Sequence, residues 1–258
     1  MLIGSLKIAV LPLCVIACFA ALMLAEEVIR RDRGSAPDWQ RIGTNWGLGL
    51  VNWALAALVP ASSLLVPIWT STWAGPGLLT GWPVAIAFLP LLLVRSLAAY
   101  WLHRWLHSSR WLWRIHRVHH ADTKIDCTTG LRNHPFEALV VTLPAAAIVL
   151  ALGPTTASVA AVEAVLLMAN FWQHAAIGLP AGLARRLEWL VITPRLHLLH
   201  HSQAQQDHDR NFGDLFSLWD RLFGTFAPPR ADAIRIGLAD EGQAAQSLPH
   251  QLAAPFRR

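Results

Sequence analysis

The sequence predicts an all-α integral membrane protein, with transmembrane helices carrying a helical cap on the cytoplasmic side. Three observations lead there. Apolar runs near 20 residues recur along the chain, and at 1.5 Å per residue they reach across a bilayer. Of the 258 residues, 54% are hydrophobic and 14% charged, with a mean hydropathy of +0.40; soluble domains usually carry about 25% charged residues. Arginines gather in 26–41, 104–117 and 185–195, which the helix count puts on one side, and the positive-inside rule makes that side cytoplasmic. Thirteen tryptophans suit interfacial aromatic belts. The net charge of +5 follows from the same loop bias, and no basic tract interleaved with aromatics points to nucleic acid.

Residues 6–25 form the first expected span, with Lys7 its one charge, followed by a polar loop through 26–41. Residues 46–69 form the second, bracketed by Trp46 and Trp69 and kinked at Pro60. Pro83 suits the first turn of the third, 83–101, which delivers His103 just as the helix leaves the hydrocarbon. Arg95, about 12 Å deeper by the helical rise, is expected to snorkel or to mark a protruding helix. Pro135 and Glu137 suit a helix start. The apolar stretches 138–152 and 155–172, broken at Gly153-Pro154, predict a hairpin. Glu188 to His201 is expected to be helical around Pro194, and the chain after Pro228 to be a covering segment. With no internal repeat or low-complexity linker, 1–258 reads as a single domain.

The chemistry lies in the histidines. His103 and His107 are spaced H-x3-H; His116, His119 and His120 form H-x2-H-H, as do His197, His200 and His201. On a helix such residues share a face, so each set is expected to aim its imidazoles one way. His134 and His174 lie between the sets, while His208 and His250 read as surface residues. Neutral imidazole is the commonest metal ligand. Nine histidines exceed the four that one zinc takes and suit two ions in a shared cage. Soluble di-iron bundles use carboxylate-rich Glu-x-x-His patterns, which are missing here. A nitrogen-rich site suits Fe(II) with positions open to dioxygen, although spacing does not exclude zinc or manganese. Cys14, Cys18 and Cys127 form no CxxC pair, so neither a disulfide frame nor a thiolate zinc site is indicated. Asp122, Asp126, Asn133, Asn211 and Asp214 are candidates to accept the second ring N–H of a ligand. Arg132 is expected to pair with Glu137, and Trp219 and Asp220 to pack and cap. The apolar walls of the second and third spans would hold a lipid tail, with no substrate-binding residue assigned.

Together with TTGLRNHPFE (128–137), FWQH (171–174), TPRLHLLHH (193–201), NFG (211–213) and SLWDRLFGTF (217–226), this histidine pattern resembles the membrane fatty acid hydroxylase / sterol desaturase superfamily. The likeness covers roughly 90–226 and is strongest to the bacterial and alkylglycerol monooxygenase-like branch. It implies a membrane-bound non-haem di-iron oxygenase, placed in a bacterial inner membrane with its catalytic face cytoplasmic. Such an enzyme hydroxylates a sterol, fatty-acyl or ether lipid with dioxygen and external electrons, or desaturates it. The nine histidines 103, 107, 116, 119, 120, 174, 197, 200 and 201 fall on the family's ligand positions. His134 falls beside the site, orienting a ligand or facing substrate, with no catalytic group beyond the metal centre. The chain departs from the pattern at His174-Ala175-Ala176 and at Asn170, which stands where some relatives begin a further H-x3-H. No haem- or flavin-binding segment is recognisable, so a separate electron-transfer protein or reductant is implied. A histidine-rich metal carrier and a scaffold with a structural metal are the competing readings.

Overall fold

The computed structural model describes residues 2–58, 77–230, 234–241 and 246–257. The described residues form helices joined by short turns, with two isolated bridges, Val191 to Phe216 and Ser202 to Ile236, and no named strand. Three helices are long and apolar enough to cross a membrane: Leu11–Asp32, Val84–Ser108 and Pro135–Leu152.

α1 runs Leu2–Asp32, further than the apolar run alone predicts. Its polar end stays helical because Glu27 meets Arg30 and Arg31, each at 2.6 Å, three and four residues on. Glu26 accepts from the backbone N–H groups of Cys127 (2.9 Å) and Ala176 (2.7 Å), docking this end onto the cap. α2 is Trp39–Leu58. The rest of the expected 46–69 span, with Pro60 and Trp69, lies outside the described residues.

α3, Val84–Ser108, begins after Pro83 and continues past the apolar stretch to carry His103 and His107. Ser109 ends it and caps the next helix, accepting from Leu112 N–H, so α4 (Arg110–His120) starts with a change of direction. Residues Cys127–Leu131 form a 3-10 turn whose capping box joins Asp126 and Thr129. α5 is Pro135–Leu152, with Pro135 in its first turn and Gly153 ending it at φ 61°. A left-handed residue suits the tight reversal there. α6, Thr156–His174, completes the expected hairpin. Leu91, Leu92, Val149, Val159, Val162 and Leu166 pack α3, α5 and α6 together, while Ile86, Leu89 and Leu143 stay exposed, as lipid-facing side chains would.

The cap is built from short pieces. α7 is Ala181–Leu187 and α8 is Pro194–His200. The expected continuous helix from Glu188 is therefore absent: Glu188 closes α7, and 188–193 form a turn and a bridge. Pro194 has no N–H to continue a helix and disfavours helix at Thr193, so α8 starts afresh. α9 (Gln205–His208), α10 (Leu218–Leu222) and α11 (Leu248–Ala253) follow. Near the end of the described chain, Ala254 packs on Leu48 and Val118, covering α2 and α4.

Arg95 does not snorkel. It is buried and gives its Nε to Glu163 at 2.7 Å, because α6 offers a carboxylate at the same depth.

Candidate metal centre

The nine motif histidines converge, but each H-x2-H-H set divides between two groups. His103, His107, His116, His120 and His200 bring one ring nitrogen apiece within 4.8 Å of one another, and His119, His174, His197 and His201 do the same. The helix makes the division. His116 and His120 are four residues apart and share a face, as are His197 and His201; His119 and His200 lie about 100° round from their neighbours. The two groups touch, with the rings of His120 and His201 stacked at 4.5 Å between centroids. The expectation that each set aims one way is thus corrected by the one-residue turn of the helix.

Hydrogen bonds fix which nitrogen faces inward. Nδ1 of His103 donates to Phe212 O (2.9 Å), His119 to Arg132 O (3.3 Å), His174 to Asn170 O (2.7 Å) and His200 to Arg210 O (2.8 Å). A carbonyl only accepts, so each of these neutral rings carries its proton on Nδ1 and presents a bare lone pair at Nε2. Those lone pairs then face each other: His119 to His174 at 3.1 Å and His103 to His200 at 3.0 Å. No proton is available to bridge either pair, and a cation is the natural occupant. Further ring nitrogens of His107, His116, His120, His197 and His201 are buried without partners. Burial first, then neighbouring imidazoles, hold His119, His120, His197, His200 and His201 well below the usual histidine range, so they stay neutral and able to ligate. The donor set fits two imidazole-bound metal ions.

The supports differ from those expected. Glu137 bonds His116 Nδ1 at 2.8 Å instead of pairing with Arg132. Arg132, fully buried, donates to Asn45 Oδ1 and Val118 O, each at 2.9 Å. Asp122 takes Arg41 (3.1 Å), Asn45 (3.0 Å) and Thr129 (2.7 Å), tying α2 and the 3-10 turn to the end of α4. Asp126 caps the turn and meets Arg41. Asn133 donates to Gly130 O at 3.3 Å. Asn170 donates to Gly130 O at 2.9 Å from its side chain while its own carbonyl holds His174. A Cβ at Gly130 would stand 2.8 Å from the Asn170 amide nitrogen, so a larger residue there must push that side chain aside.

Asn211 adopts φ 54° and donates to Leu196 O and Ala227 O. Asp220 accepts from the N–H groups of Phe212 (2.7 Å) and Gly213 (2.8 Å). The NFG segment is therefore a shaped loop that delivers the Phe212 carbonyl to His103. Trp219 donates to Ser96 Oγ at 3.1 Å.

Two histidines depart from expectation. His134 caps α5, accepting from Phe136 N–H at 3.2 Å with Nε2 at 3.2 Å from Leu252 O; it stands outside both groups and does not line the cavity described below. His208, expected at the surface, is buried with its ring 4.6 Å from His120 and 4.7 Å from His107. With Asp209, whose Oδ1 lies 3.2 Å from His107 Nδ1, it covers the five-histidine group. His208 belongs to no repeated spacing, which is why the motifs do not reveal it; its nearness in sequence to the last H-x2-H-H was the one available signal.

Beneath the histidines lies a cavity of about 360 Å³. His103 and His116 from one group and His119, His174 and His197 from the other line its top. Helices α2, α3, α5 and α6 supply its mostly apolar sides, including Leu55, Leu102, Val141 and Leu166.

Comparison with known proteins matches this architecture. A family model described as fatty acid hydroxylase matches residues 88–225. The ornithine lipid hydroxylase OlsE of Rhizobium tropici is 30% identical over 178 residues, 69% of this chain and 52% of that protein. Alkylglycerol monooxygenase of Danio rerio is 32% identical over 173 residues, covering 66% of this chain and 34% of the relative. The very-long-chain aldehyde decarbonylase GL1-9 of Oryza sativa subsp. japonica is 31% identical over 148 residues, 56% and 55% of the two chains. The chain thus spans about half the length, or less, of these curated relatives. No solved structure matches it. The matched segment covers more than half of the chain and holds all nine converging histidines, and the chain belongs to the fatty acid hydroxylase family.

Proposed function

We propose that this protein is a membrane-bound di-iron oxygenase that hydroxylates a lipid. The observation that carries the reading is the pair of imidazole groups, with lone pairs aimed inward, set over a mostly apolar cavity. The nine histidines would hold two iron ions: five at one, four at the other. The ions would supply reductive activation of dioxygen, one oxygen atom going to a C–H bond and the other to water with two electrons and two protons from outside.

The chain's own residues prepare that chemistry. Backbone carbonyls and Glu137 hold the ring protons on Nδ1 and keep Nε2 free, and the Glu137 carboxyl behind His116 also makes that ring a stronger donor. The apolar walls exclude water and would keep a hydrocarbon chain against the histidines. The electrons would come from a separate protein or reductant. The membrane spans and the arginine-rich segments support a bacterial inner-membrane location with the histidines cytoplasmic. Cysteines introduced at Arg33, Arg110 and Arg186 would then label from the cytoplasmic side.

The test is turnover of lipid extract under isotopically labelled dioxygen, with metal analysis of anaerobically purified protein. Two irons per chain and one labelled oxygen in a lipid product are expected. A double bond without label would assign desaturation instead, and metal without any lipid product would overturn the oxygenase reading.

A further inference from the structure

Seven of the nine motif histidines are 5% exposed or less, so a metal ion reaches them only by way of other residues. The cavity is an unfavourable way in, because its walls are mostly apolar and an ion gives up its water there at a cost. Another group of donors adjoins the histidines. His107, His208 and Asp209 each bring one ligand atom within 4.8 Å of the other two, and none of the three lines the cavity. They form a gradient from water to core: the Asp209 side chain is 46% exposed, His208 is 8% exposed and the His107 side chain 2%. A backbone hydrogen bond from Ser202 steadies His208, whose ring lies 4.7 Å from His107 and 4.6 Å from His120.

His107 belongs to this outer group and to the five-histidine group alike. Its Nδ1 faces Asp209 at 3.2 Å, while its Nε2 is buried without a partner. Two donors on neighbouring corners of one ion, each about 2.1 Å from it, stand roughly 3.0–3.4 Å apart. The separation of His107 from Asp209 therefore suits a shared ion as well as it suits a hydrogen bond. The five-histidine group holds one imidazole more than its neighbour, and four would remain with an ion there if His107 engaged the outer group. An ion moves between sites by gaining one donor before it loses another, and a donor common to both sites makes that step short.

We infer that Asp209, His208 and His107 form an entry site for a divalent metal ion, which takes the ion from water and passes it to the five-histidine group. The exposed carboxylate of Asp209 captures the hydrated ion, His208 replaces part of its water, and His107 carries it across by exchanging one group for the other. The inference rests on the two-metal reading of the cage and adds the route by which an ion arrives. It also gives His208 a task, although that residue lies outside the repeated spacings.

Exchange of bound iron tests it without turnover. The iron-loaded full chain in nanodiscs is mixed anaerobically with isotopically labelled Fe(II), and the label gained is followed by mass spectrometry. A site on the route governs entry and exit alike, so its loss should slow exchange and leave the amount of bound iron as it was. His208→Phe keeps a ring against His107 and His120, and Asp209→Asn keeps an oxygen to accept from His107. Each should slow the exchange of at least one iron by about ten-fold or more, the lower end of what a lost partner of a metal ligand costs, with two irons per chain retained. Glu137→Gln, which loosens a ligand away from the route, should quicken exchange instead. Unchanged or faster exchange in both entry variants overturns the site, as does equal slowing in Glu137→Gln. Loss of an iron from His208→Phe would make His208 a permanent ligand and overturn the entry role too. Fewer than two irons in the wild-type protein would fail the two-metal reading, whereas two irons with unslowed exchange would fail the entry site alone.

Discussion

The two histidine groups look alike in composition and differ in what stands behind them. In the four-histidine group the two rings with anchored Nδ1 atoms, His119 and His174, rest on backbone carbonyls. In the five-histidine group, His116 and His107 rest on the carboxylates of Glu137 and Asp209, and His208 covers the set. A carboxylate behind an imidazole makes it a stronger donor than a carbonyl does. One ion would therefore sit in a rich, anion-backed cage and the other in a sparser, neutral one. The lesson is that two sites drawn from the same motifs are given different surroundings by residues the motifs do not contain.

Removing a ligand probes the difference most strongly. His201→Ala leaves three nitrogens in the four-histidine group and should release that ion, taking the protein from two metals to one and abolishing turnover. His120→Ala leaves four in the other group, which should keep an ion at weakened affinity. Metal counting and chelator titration of both variants check this, and equal losses would erase the distinction.

Asp122→Ala should harm both groups together. It removes the buried partner of Arg41 at the end of α4, and breaking a buried pair typically costs about 3–5 kcal/mol. Thermal unfolding should shift downward by that equivalent. Glu137→Gln should act on the five-histidine group alone, lowering its metal affinity or the turnover by roughly 10–100-fold. A variant that weakened the four-histidine ion equally would break the comparison.

Acid offers a milder probe. His120 in one group and His201 in the other are held neutral well below the ordinary histidine range by burial and by neighbouring imidazoles, whereas an unfolded chain takes protons near pH 6.5. As pH falls through about 6.5 the unfolded state binds more protons than the folded one, so the metal-free protein should lose stability in that direction. Protons also compete with metal there, and the sparser site should empty first. Thermal unfolding and metal retention between pH 7.5 and 5.5 measure both effects. The smallest change is expected from His134→Ala, which removes a helix cap worth about 1 kcal/mol and leaves both ions in place.

Much of the site could be read in advance because spacing and helix geometry are local. H-x3-H at the end of an apolar run placed His103 and His107 correctly at the foot of α3, and the return of the hairpin brought His174 to the same end. The partners of these rings were harder to see. Glu137, Asp209 and the Phe212 carbonyl reach their histidines across 21, 102 and 109 residues, and nothing local in the sequence encodes those approaches. The nearer acids misled for a physical reason: Asp122 and Asp126 are drawn to Arg41, a stronger partner than a neutral imidazole. Arg95 misled likewise, since its answering carboxylate lies on another helix.

The division of adjacent histidines between the groups has a mechanical consequence. α4 and α8 each feed both groups, so neither helix belongs to one ion. A small rotation of either about its axis would advance nitrogens on one ion while withdrawing them from the other. The separation of two bound ions would thereby be geared to the pitch of the helices, and a rotation of α4 or α8 could not move one site without moving its neighbour.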